Sequence, residues 1–274
     1  KRLLLRESQV QPLVLVFEDL HWVDAESRAV LDALVESLPT ARLLLLVNHR
    51  PEGQHGWGQK TYCRQVRLDP LPSESADELL DALLGASPTF EELRRQLIAR
   101  TEGNPLFLEE CVRALVETGG LVGEGGAYQL GHSVETIQVP ATVQVILAAR
   151  IDRLAPEDKS LLQAAAVIGK DVPYELLCAT SEIKADLLRT ILARLQAAEF
   201  IYEATLFPEL EYTFRHALTH EVAYGGLLSD RRRALHEKVV NAIETIYAER
   251  IGEHAERLAQ HAVRGDLKDK AVRY

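Results

Sequence analysis

The stretch Leu13-Val14-Leu15-Val16-Phe17-Glu18-Asp19-Leu20-His21-Trp22-Val23-Asp24 decides how the chain is read. Five apolar residues run without a break into two acids, and a short turn then leads into an amphipathic segment. An apolar run this short, followed by helical periodicity, predicts a strand of a parallel sheet buried on both faces. Acids at the carboxyl end of such a strand lie where open α/β sheets hold their ligands. The alternative is a strand whose last two residues are merely solvated carboxylates.

Working outward, Arg42 precedes a second run, Leu43-Leu44-Leu45-Leu46-Val47, which ends in the donor-rich cluster Asn48-His49-Arg50-Pro51. Between the runs, Val30, Leu31, Leu34, Val35 and Leu38 share one helical face, Asp24 stands at the N-cap position, and Pro39 ends the helix. An acidic strand end and an arginine strand end joined by one helix form half of a nucleotide site, since a guanidinium pairs well with phosphate. Gln65-Val66-Arg67-Leu68 reads as a third short strand closed by Asp69-Pro70.

From Ser73 onward the pattern is helical. Ser75 and Glu78 have capping-box spacing, and a helix follows from about 89 to 100. In Gly103-Asn104-Pro105 the glycine reads as a helix stop, Asn104 as an N-cap and Pro105 as the first residue of the next helix. The glycines between 119 and 126 lie between Leu121-Val122 and Tyr128-Gln129-Leu130, which is hairpin chemistry. No Gly-x4-Gly-Lys-Ser/Thr run occurs, so the chain has no Walker A motif. Three helical faces between 143 and 195 then precede a hairpin formed by 200–203 and 211–214, the order of a winged helix. His216 follows that hairpin, and long amphipathic helices begin at Ser229.

Composition bounds these readings. The 274 residues are 47% hydrophobic and 26% charged, ordinary for a globular protein of two or three domains. A net charge of −10 argues against a broad nucleic-acid surface, and the helix expected around 184–199 is balanced rather than basic. The run Arg231-Arg232-Arg233 reads as a solvated helix start. Cys63, Cys111 and Cys178 lack metal-type spacing, which predicts a reducing, cytoplasmic setting, and no apolar run is long enough for a membrane span. The chain has no methionine and stops inside a helical pattern, which predicts an internal segment of a longer protein.

Taken together, the two strand ends resemble the Walker B and sensor 1 elements of STAND ATPases, the signalling branch of the AAA-related P-loop proteins. The resemblance puts Glu18 at the first Walker B position, organising Mg²⁺ through water, and Asp19 at the second, where it orients the attacking water. This family more often has Asp where Glu18 stands. By the same resemblance Arg50 is the sensor arginine, Pro105 packs on the adenine base from the helical lid, and His216 senses the β-phosphate. The blocks 139–177 and 206–228 look like the ATPase region of large bacterial proteins with a class III adenylate/guanylate cyclase before it and tetratricopeptide repeats after it.

The expected fold is mixed and predominantly α. Residues 1–70 form part of a parallel α/β P-loop ATPase core, 71–120 a helical lid, 121–228 a winged helix, and 229–274 the start of an α-helical repeat region. The expected function is a switch that binds ATP or ADP with Mg²⁺ and responds to a protein or small-molecule effector on the repeats. The alternatives are a non-hydrolysing scaffold and a transcription regulator whose DNA-binding domain lies elsewhere. The resemblance also implies a Walker A strand between the Walker B and sensor strands. Its absence predicts that both strands expose unpaired edges and that the segment folds poorly and does not hydrolyse ATP.

Overall fold

A computed structural model describes the chain except for residues 21–22, 50–55, 132–139, 182 and 206–208. The described residues are predominantly helical and form two compact units, 1–69 and 70–274.

In the first unit, α1 (Arg2–Val10) is followed by β1 (Leu13–Phe17), α2 (Ala25–Val35) and β2 (Leu43–Val47). The start of α2 is fixed by Asp24, whose Oδ1 accepts the amides of Glu26 and Ser27 at 2.9 and 2.8 Å. These bonds hold the Asp24 carboxyl below its usual pKa. β1 and β2 pair directly and in parallel, from Leu13 opposite Leu43 to Phe17 opposite Val47. No strand lies between them, and the edges expected to be left unpaired by the missing Walker A strand pair with each other instead. The single helix α2 provides the crossover that two adjacent parallel strands require.

Burial alternates along both strands. Phe17, Leu45 and Val47 pack with Leu20, Leu31, Val35 and Trp57, while Val14 and Leu44 are 65% and 54% exposed and Val16 and Leu46 share their face. The expectation of burial on both faces is therefore wrong for this chain. A continuous apolar run allows two covered faces, but the described residues supply a helix layer on one side only. Gln65–Leu68 is also not a strand among the described residues, and Val66 and Leu68 are exposed. The alternation favours extended backbone, but a strand needs a neighbour for its N–H and C=O groups.

The second unit opens with α3 (Ser73–Leu84), α4 (Glu91–Thr101) and α5 (Pro105–Glu117), packed through Ala76, Leu80, Leu93, Leu97, Leu108 and Val112. Helix α3 starts at Ser73 behind Pro72, with no side-chain cap, so Ser75 lies inside the helix and the capping-box reading fails. β3 (Leu121–Val122) and β4 (Gln129–Leu130) form the expected hairpin, and α6 (Val143–Arg153) adds Ile146 to this core.

A second core joins α7 (Pro156–Ile168), α8 (Tyr174–Ser181), α9 (Ala185–Ala197), α10 (Ala217–Gly225), α11 (Ser229–Ile246) and α12 (Ala255–Arg264), with α13 (Lys268–Arg273) closing the chain. Within it, β5 (Asp171–Pro173), β6 (Ile201–Thr205) and β7 (Glu211–Phe214) form an antiparallel sheet in the order β5-β7-β6. Leu161 to Ile168 of α7 are all buried, which makes that half-helix the centre of the core.

Candidate functional site

Glu18 and Asp19 follow β1 directly, at the carboxyl end of the parallel pair, and both are exposed. Their backbone is set by Asn48 at the end of β2. The Asn48 side-chain Oδ1 accepts the Asp19 amide at 2.6 Å, its own amide donates to the Phe17 carbonyl at 3.2 Å, and its carbonyl accepts the Leu20 amide at 3.0 Å. Asp19 adopts φ 55°, left-handed backbone that an Asp tolerates better than most residues. Two adjacent carboxylates at a strand tip are hard oxygen donors of the type that binds Mg²⁺ through one or two carboxylates and several waters. Among the described residues no group of three or more His, Cys, Asp or Glu side chains is placed to hold a metal ion. Arg50 lies outside the described residues.

In the second unit, Pro105 is the first residue of α5, and its ring is exposed. Asn104 is the N-cap, its Oδ1 accepting the Phe107 amide at 3.1 Å. The preceding helix runs to Thr101 and its C-cap is Glu102, at φ 53°, rather than Gly103. Gly103 is buried at φ 75°, and its carbonyl accepts the Leu71 amide at 2.9 Å. A Cβ there would sit 2.2 Å from the Leu71 carbonyl oxygen, so this turn requires glycine for close approach as well as for conformation.

His216 is the N-cap residue of α10 but makes no side-chain cap bond. Its Nε2 is buried and lacks a hydrogen-bond partner. Burial pushes its pKa down, while the Glu110 carboxylate of α5 works in the opposite direction, and Arg215, Arg113 and Glu109 also act on it. The charges around His216 thus come largely from α5, the helix that begins at Pro105. Pro105 opens the helix whose charged side chains act on His216, which itself caps α10. Glu18 and Asp19 belong to the other unit.

Around His216 runs a ladder of alternating charges that the sequence reading missed. Arg150 of α6 donates from Nε to Glu117 at 2.6 Å, from Nη1 to Glu110, and from Nη2 to the Ala198 carbonyl at 2.9 Å. Its guanidinium also lies 4.8 Å from the ring centre of Phe200. Arg113 donates to Glu110 at 2.7 Å and to Glu199, and Glu199 in turn pairs with Arg215 at 3.3 Å. The side chains of Glu110 and Arg150 are each only 2% exposed. A charged residue on an otherwise apolar helical face, such as Glu110 beside Leu108, Cys111 and Val112, was the available signal.

With that geometry established, the chain can be set beside known proteins. Its fold is similar to the crystal structure of a Signal Transduction ATPase with Numerous Domains (STAND) protein with a tetratricopeptide repeat sensor from Pyrococcus horikoshii. The TM-score is 0.57 at 14% identity, over 92% of this chain and 33% of that one. Residues 72–120 match a family described as a domain of unknown function, DUF8739. An uncharacterized protein of Rhizobium meliloti (strain 1021) is 28% identical over 272 residues, or 95% of this chain. The chain spans about a quarter of that relative's length. Among the described residues no helix is long and apolar enough to cross a membrane.

Proposed function

We propose that this chain is a STAND-like signalling module whose conformation follows a bound adenine nucleotide. The observation that carries the reading is a STAND fold likeness extending over 92% of the chain. In this reading 1–70 is part of a P-loop ATPase core, 71–120 a helical lid, 121–228 a winged helix and 229–274 the start of a sensor repeat. The sheet order β5-β7-β6 beside α7, α8 and α9 supports the winged-helix assignment.

Each candidate residue then has a distinct task. Glu18 would hold Mg²⁺ through water, Asp19 would orient the attacking water, and Arg50 would contact the γ-phosphate. The exposed ring of Pro105 would take the adenine base, and the unpartnered Nε2 of His216 would donate to the β-phosphate of ADP. The bound metal would neutralise phosphate charge. The phosphate-cradling loop would come from sequence other than these residues, which contain none. Exchange of ADP for ATP would shift a closed-to-open equilibrium that an effector on the repeats can bias. The controlled output would be a fused domain, with a class III nucleotide cyclase as the first candidate.

Calorimetric titration of the full-length protein with ADP and Mg²⁺ tests the reading. It expects saturable binding that weakens about tenfold or more in His216→Ala, the scale of one charge-assisted hydrogen bond. Slower hydrolysis with retained ATP binding is expected in Glu18→Gln and Asp19→Asn. Absence of any adenine-nucleotide binding would leave the scaffold reading in its place.

A further inference from the structure

Glu199 stands at the corner between α9 and β6, in left-handed backbone at φ 58°. Its Oε2 takes two guanidinium groups at once, Nη2 of Arg113 from α5 and Nε of Arg215 at 3.3 Å. Arg215 immediately precedes His216, whose buried Nε2 has no partner. The ladder is graded in exposure. Its inner rung, Glu110 with Arg150, is 2% exposed on both sides, whereas Glu199 and Arg215 are 41% and 44% exposed.

We propose that Glu199 is a positioning residue for phosphate recognition at His216, because its carboxylate holds Arg215 and competes with an incoming phosphate for that guanidinium. The inference rests on the reading of His216 as the phosphate contact. Carboxylate and phosphate present similar oxygen pairs to a guanidinium, so Arg215 cannot serve both fully. An ion pair this exposed is held weakly and can exchange. The buried rung is not free to exchange, since both of its charges are 2% exposed and opening it would cost each a buried partner. Sharing is what makes exchange feasible at Glu199. When Arg215 turns to a phosphate, Arg113 still neutralises the carboxylate it leaves.

The test is a titration of the full-length protein with ADP and, separately, with adenosine, in wild type, Glu199→Gln, Glu199→Gln/Arg215→Ala and His216→Ala. Glu199→Gln is isosteric and half-exposed, so the fold should persist. The expected result is several-fold tighter ADP binding in Glu199→Gln with adenosine unchanged, and loss of that gain when Arg215 is also replaced. A merely structural role would move ADP and adenosine together, and that outcome overturns the proposal. Unchanged ADP affinity in Glu199→Gln alongside weakened binding in His216→Ala overturns the competition while leaving His216 as the phosphate contact. Unchanged ADP affinity in His216→Ala removes both.

Discussion

Nδ1 of His236 lies 2.8 Å from Nδ1 of His261, which links α11 to α12 through two buried imidazoles. A bond of this kind needs one ring to donate and the other to accept, so the pair cannot carry a proton on both facing nitrogens. Nε2 of His236 lies 3.0 Å from the Tyr224 hydroxyl, and His261 also bonds the Ile168 carbonyl, which can only accept. With neutral rings, the consistent arrangement is Tyr224 donating to His236, His236 to His261, and His261 to Ile168. Four helices, α10, α11, α12 and α7, are joined through it.

Acid should therefore loosen the second unit. Burial, together with Arg264 and Arg232 around His236 and with Arg257 and Arg264 around His261, pushes the two pKa values down to about 4 and about 3. The unfolded chain takes up protons near the ordinary value of 6.5, where the folded chain does not, so stability rises with pH. It is fully present above about pH 6.5 and is lost as pH falls from there toward 4. The loss should amount to a few kcal/mol by pH 4. Urea melts followed at pH 7, 5.5 and 4.5 check this. A His236→Phe/His261→Phe double variant should show a clearly smaller slope.

Breaking the inner rung of the ladder should be costly. Arg150→Ala leaves the buried Glu110 carboxylate with Arg113 alone, and a loss of up to about 3–5 kcal/mol is expected. Replacing both with apolar residues, as in Arg150→Met/Glu110→Leu, should cost much less, because no lone charge remains. Denaturant midpoints of the three proteins decide the matter. Equal losses in single and double variants would mean that packing, rather than charge, holds α5 to α6.

The open face of the β1–β2 pair should make the 274-residue chain self-associate. Val14, Val16, Leu44 and Leu46 form a contiguous apolar surface on a sheet whose outer edges have no strand partner among the described residues. Val16→Lys/Leu46→Glu should shift light scattering toward monomer without altering helical circular dichroism. A monodisperse wild-type chain at high concentration would contradict this.

Gly103→Ala should destabilise the second unit by more than 1 kcal/mol, since the new methyl meets the Leu71 carbonyl oxygen in left-handed backbone. Gly119→Ala is the matched comparison. Its φ is also positive, but no atom lies within 4 Å of the added carbon, so strain alone remains. A thermal melt of each separates contact from conformation.

How much of this could be read in the sequence depended on the range of the interaction. Asp24 and Asn104 cap their helices as read, and the glycines between 119 and 126 turn a hairpin, because each signal acts within a few residues. The strand pair was legible as two strands, but its partnership and its open face were not. A run of five apolar residues carries no record of what lies against it. β5 was missed because three residues, Asp171–Pro173, give no periodicity, and their partner β7 lies some 40 residues away. The charge ladder escaped for the same reason. Glu110 and Arg150 are distant in the chain, and nothing local marks them as a pair.

Asn48 remains, the residue whose three hydrogen bonds set the backbone around Glu18 and Asp19. Only its side-chain oxygen faces the Asp19 amide, so an aspartate would make the same contact and keep the same turn. It would also place a third carboxylate at a strand tip that already carries two. Position 48 therefore fixes shape and limits charge with one amide group. Asn48→Asp would separate those roles, preserving the geometry of the tip while changing how strongly it attracts or repels whatever approaches.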